Sequence, residues 1–150
     1  ADALVANGVV KSRDEAFVDL LHNESKYYVT HAAPTPEDAI SMIRRAGGVP
    51  IIAHPMSRGK GPEEGQPMPR EHFEEMIAAG LAGFEIDHRE VPPHAQKWLR
   101  EMVAEFDLIV TGSSDYHGLT GKENRLGENT TSKEMLDRII AQATGTSPQL

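Results

Sequence analysis

A chain of 150 residues with a formal charge of -8 and no cysteine has the length of one domain. It cannot form disulfides or thiolate metal sites, and it lacks the basic excess that an extended nucleic-acid surface needs. Hydrophobic residues at 39% and charged residues at 25% are ordinary for a globular protein. No apolar run approaches the roughly 18 residues that span a bilayer, and the expectation is a cytoplasmic protein whose metals would be held by His, Asp or Glu.

Ala3 to Ala6 followed by Asn7-Gly8 reads as the end of a helix. Ser12-Arg13-Asp14-Glu15 fits a capping box that opens a second helix, with Phe17, Leu20 and Leu21 as its apolar stripe. Lys26 to His31 is β-like but brief. Pro34-Thr35-Pro36 starts a further helix with the stripe Ala39, Ile40, Met42 and Ile43, ended by Gly47-Gly48. A strand follows from Val49 to His54, then a Gly- and Pro-rich loop from Ser57 to Pro69 that is expected to be mobile. A helix from Pro69 to Ala79 leads to an alternating strand, Gly83 to His88. Pro92-Pro93 opens a helix to Phe106 that buries Ala95, Trp98, Leu99 and Met102, and Leu108 to Thr111 is a third strand. After a polar loop from Gly118 to Asn129, Thr131-Ser132 caps a last helix carrying Met135, Leu136, Ile139 and Ile140; Thr144 to Leu150 is expected to fray. This alternation predicts an α/β fold with parallel strands.

The chemistry sits at the strand ends, where such folds place their sites. His54 precedes Pro55, which biases it towards extended backbone. In Ser113-Ser114-Asp115-Tyr116-His117-Gly118, strand spacing would send Asp115 and His117 into one cavity and turn Tyr116 away. Imidazole beside carboxylate suits Mn, Zn or Fe. His88 closes the middle strand, where it either binds substrate or a leaving group or is a plain exposed histidine. Glu85 and Asp87 lie on the opposite alternation, so only one set is expected to face the site. Arg58, Lys60, Lys122 and Arg125 populate the loops over the strand ends and are donors suited to an anionic substrate, Arg58 and Arg125 above all. His22, His31, His72 and His94 receive no role. Neither a phosphate-cradling glycine motif nor a Gly-x-Ser-x-Gly elbow is present.

Taken in order, Ala46-Gly47-Gly48-Val49-Pro50-Ile51-Ile52-Ala53-His54-Pro55, Gly83-Phe84-Glu85-Ile86, Gly112 to Gly118 and Gly121 to Thr131 resemble the polymerase and histidinol phosphatase (PHP) family of metal-dependent phosphoesterases, its small-nucleotide branch in particular. The resemblance implies a distorted β/α barrel, with residues 34–150 as its C-terminal part and residues 1–33 as the end of a helical insertion. It implies a cluster of divalent ions, manganese first and zinc or iron as alternatives, with His54, Asp115 and His117 as ligands and no catalytic side chain beyond them. A water activated by those ions would attack the phosphorus of a nucleotide or nucleoside bisphosphate, or of a short RNA end. The family's His-x-His motif is absent from the seven histidines. With that motif expected upstream of Ala1, the chain reads as part of a longer enzyme and as inactive, or nearly so, by itself. Uncovered barrel edges would favour oligomers. The competing expectation is a non-catalytic module that binds one ion or a partner chain.

Overall fold

The computed structural model describes residues 1–57, 66, 69–118 and 123–146, which fall into two compact units, residues 1–33 and 34–150. In the first unit, helix α1 (Asp2–Ala6) precedes α2 (Arg13–Glu15), which widens into a π-helical stretch, Ala16–Leu20. The cap forms with a shifted return bond: Ser12 Oγ accepts the Glu15 N–H at 3.1 Å, but the Glu15 carboxylate accepts the N–H of Lys11, one residue ahead of the cap, at 2.7 Å. The expected stripe does not. The π-helical geometry changes the angular spacing of the side chains, so Ala16 is buried while Phe17 and Leu21 are exposed. Lys26 to His31 is not a strand either; it pairs with no strand among the described residues, and Tyr27, Tyr28 and Val29 are exposed.

The second unit alternates helix and strand: α3 (Pro36–Arg45), β1 (Ile51–Ile52), α4 (Arg70–Ala78), β2 (Gly83–Asp87), α5 (Pro93–Phe106), β3 (Ile109–Gly112) and α6 (Lys133–Gln142). The strands form a three-stranded parallel sheet in the order β1-β2-β3, with Ile51 opposite Gly83 and Gly83 opposite Ile109. Gly83 allows that spacing, since any Cβ there would overlap the Ile109 carbonyl oxygen. Two strands are shorter than expected, because the chain turns at Ala53 and again at His88 to build the site.

Helix ends follow the sequence. Thr35 Oγ1 accepts the Asp38 N–H at 3.2 Å ahead of α3, and Ser132 Oγ accepts the Met135 N–H at 3.3 Å ahead of α6. Phe84, Ile86, Leu99, Met102 and Ile109 are fully buried, and Phe73 meets both Phe84 and Trp98 edge to face at 5.5 and 5.4 Å. Each such burial is worth about 1.5–3 kcal/mol relative to exposure. Of the α3 stripe only Ile40 is buried; Met42 and Ile43 face solvent. Arg70 joins α4 to α5, its guanidinium held above its ordinary pKa by hydrogen bonds to Glu105 and Glu74. The first residues of the supposed fraying tail are pinned, since the Thr144 and Gly145 N–H groups donate to the Gly47 carbonyl at 3.0 and 3.3 Å.

Candidate metal centre

Three strand ends meet at one place. His54 leaves β1 with φ +30°, not in the extended conformation that a following proline favours. Local bonds override that bias: the His54 N–H donates to Glu85 Oε2 at 3.1 Å, its Nδ1 lies 3.0 Å from Ser57 Oγ, and its carbonyl accepts the Ser57 N–H at 3.2 Å. Met56 and Asp115 also have positive φ, +62° and +46°. Left-handed backbone at a non-glycine residue costs about 1–3 kcal/mol and concentrates at functional sites.

The middle strand departs from simple alternation. Its register shifts between Glu85 and Asp87, and the His88 N–H donates back to the Ile86 carbonyl at 2.8 Å, a three-residue turn. His88 is thereby folded to the side of Glu85, and side-chain donor atoms of His54, Glu85 and His88 all lie within 4.8 Å of one another. The expectation that Glu85 and His88 face apart is overturned. Asp87 takes no part in the cluster, because its carboxylate is paired with Arg100 of α5.

His88 is not the plain exposed residue of the bland reading: it is 2% exposed. Its ring lies 4.7 Å from that of His54, and its Nε2 lies 3.8 Å from Asp115 Oδ2. Its Nδ1 accepts the Glu90 N–H at 3.1 Å, whereas Nε2 has no hydrogen-bond partner among the described residues. Asp115 and His117 stay together, though not through strand alternation. The strand ends at Gly112, and a turn brings His117 Nδ1 to 2.7 Å from the Asp115 carbonyl and 3.5 Å from Asp115 Oδ1. A carbonyl only accepts, so Nδ1 carries the hydrogen and Nε2 keeps a lone pair for a cation.

The segment after residue 122 is strapped onto β3. Thr131 Oγ1 accepts the Gly112 N–H and donates to the Gly112 carbonyl, both at 3.2 Å, and Ser114 Oγ bonds the Asn129 backbone. Buried Asn124 donates to the Asp115 carbonyl at 3.4 Å and accepts from Arg89, whose Nε lies 3.4 Å from Glu128 Oε1. Arg89, adjacent to His88, is a cation the sequence reading passed over; a cue was available in its place beside the strand-end histidine. Arg125 is exposed, with its backbone N–H on Glu128 Oε2. Arg58, Lys60 and Lys122 lie outside the described residues, as does most of the loop expected to be mobile.

Two imidazoles and two carboxylates around the carboxyl ends of adjacent parallel strands define a centre suited to a divalent cation and an oxyanion. The donors fit such an ion: borderline nitrogen of His54 and hard oxygen of Glu85 lie within 4.8 Å of each other. Comparison with known proteins agrees. No family profile matches the chain. It is 27% identical over 127 residues to the phosphoribosyl 1,2-cyclic phosphate 1,2-diphosphodiesterase of Eggerthella lenta, covering 83% of this chain and 38% of that one. Among solved structures it resembles a protein of Bifidobacterium adolescentis provisionally named a metal-dependent phosphoesterase, at 38% identity and TM-score 0.80, over 95% of this chain and 49% of that one. An amidohydrolase of Chromobacterium violaceum, solved with bound sulfate and no metal, aligns at 27% identity and TM-score 0.59 over 94% of this chain and 50% of its own. The chain thus spans half or less of the length of these relatives. The likenesses are to proteins named as a phosphodiesterase, a metal-dependent phosphoesterase and an amidohydrolase. No helix among the described residues is long and apolar enough to cross a membrane.

Proposed function

We propose that the chain carries the C-terminal part of a metal-dependent phosphoesterase site that hydrolyses a small nucleotide-like phosphate ester, a nucleoside monophosphate, bisphosphate or short RNA end. The convergence of His54, Glu85, His88 and Asp115 at three adjoining strand ends carries this reading. His54, Asp115 and His117 are the proposed ligands, and Glu85 joins them because its carboxylate both reaches the cluster and holds the His54 backbone. Divalent ions held there, manganese first and zinc or iron otherwise, would polarise the phosphoryl oxygens and favour attack by water.

The chain's own groups do the rest. Turns with positive φ hold the donors in place without substrate, so little reorganisation remains when the ester binds. His88, Arg58 and Arg125 are proposed to contact the substrate, and Arg89 offers a further cation once an anion competes with Glu128. Residues 34–150 then correspond to part of a β/α barrel and residues 1–33 to the end of a helical insertion. Four protein donors shared among several ions leave each under-coordinated, so the chain by itself is expected to turn over weakly.

Manganese-dependent phosphate release from a nucleoside bisphosphate, measured for the chain and for the longer protein that contains it, tests the reading. The expected result is activity in the longer protein that His54→Ala and Asp115→Ala abolish. Undiminished release in both variants would refute it. Tight uptake of one ion with no turnover in either form would instead favour a non-catalytic module.

A further inference from the structure

Four histidine nitrogens around the centre have hydrogen-bond surroundings that fix what each can do. At His117 the Asp115 carbonyl takes Nδ1–H, which leaves Nε2 able to coordinate. At His88 the arrangement is reversed. The Glu90 backbone N–H can only donate, and it points at His88 Nδ1 from 3.1 Å. A hydrogen on Nδ1 would set donor against donor, so while that bond stands Nδ1 is the acceptor and the hydrogen of the ring lies on Nε2.

Nε2 is buried and without a hydrogen-bond partner among the described residues; Asp115 Oδ2 lies 3.8 Å away, beyond hydrogen-bond distance, and the His54 ring is 4.7 Å from that of His88. A buried N–H lacking an acceptor is costly, and such groups call for an explanation. A cation cannot supply one, because Nε2–H has no lone pair to give. An oxygen can.

We infer that His88 is a hydrogen-bond donor, through Nε2, to a phosphoryl oxygen of the substrate and stands outside the metal-ligand set, although its atoms cluster with those of His54 and Glu85. The inference rests on the phosphoesterase reading and deepens it. His88 stabilises charge on the oxygen it touches, and the leaving oxygen is protonated from solvent.

Nitrogen-15 spectra of the histidines in the metal-free chain are the first test, with His88→Gln identifying the signal. The expected pattern is Nε2–H at His88 and Nδ1–H at His117, and on zinc addition His88 keeps its tautomer. An Nδ1–H tautomer, or loss of the Nε2 hydrogen with zinc, would make His88 a ligand and overturn the proposal. The second test is calorimetric titration of inorganic phosphate into the proposed longer phosphoesterase, loaded with zinc. His88→Phe should weaken phosphate binding roughly ten- to a hundredfold while leaving zinc affinity unchanged, and His88→Gln, which restores an N–H nearby, should recover most of it. Phosphate affinity unmoved by His88→Phe sinks the role of His88 alone, whereas absence of phosphate uptake by the parent sinks the phosphoesterase reading with it. His88→Phe removes the buried unpartnered N–H but also the acceptor of the Glu90 N–H; should it misfold, the spectra and His88→Gln decide.

Discussion

Two groups in this chain have nearly the same composition and different prospects. His54, Glu85 and His88 form one; Glu37, His72 and Glu75, on α3 and α4, form the other, and in both the donor atoms lie within 4.8 Å of one another. In the first, backbone hydrogen bonds seize the side chains: the His54 N–H holds Glu85, and the Glu90 N–H holds His88. In the second, His72 and Glu75 stand exposed on a helix surface. Ordering exposed side chains around an ion costs rotamer entropy at the moment of binding, whereas the strand-end group has met that cost during folding. Proximity of donors is common; donors whose orientation and tautomer are already set are rare.

The contrast can be broken most forcefully at Asp115. Asp115→Ala should lower turnover of the proposed longer phosphoesterase by about 100-fold or more, since it removes a charge from the centre. Glu75→Ala should leave turnover unchanged, and steady-state assays in manganese compare the two; equal losses would dissolve the distinction. Glu85→Gln keeps an acceptor for the His54 N–H but removes the charge, so zinc affinity of the chain should fall roughly 10- to 100-fold in a competition titration. Ser57→Ala frees His54 Nδ1 from its 3.0 Å contact and should cost about 0.5–1.5 kcal/mol of stability by denaturant melts. Smallest of all, His72→Ala on the exposed group should change stability by less than about 0.5 kcal/mol and leave the number of zinc ions bound unaltered.

Much of the framework was readable in the chain. Proline and Ser/Thr caps marked the starts of α3, α5 and α6, and short apolar runs marked the strands, because these signals depend on neighbours a few residues away. Legibility failed where a long-range bond overrode a local preference. His54 obeyed Glu85 and Ser57 and not Pro55; Glu85 and His88 came together through a register shift that strict alternation forbids. Phe17 and Leu21 failed as core residues because the backbone widened into π-helical geometry.

From residue types and their order alone, the parallel α/β layout followed, as did the strand-end position of His54, His88, Asp115 and His117 and the demand for hard or borderline ligands in a chain without cysteine. Folding settled the matters of direction. Which ring nitrogen carries its hydrogen, which carboxylate turns inward and which is diverted to an arginine depend on hydrogen bonds such as Glu90 to His88 and Arg100 to Asp87. Composition lists the donors, but only the bonds made when distant segments meet aim them.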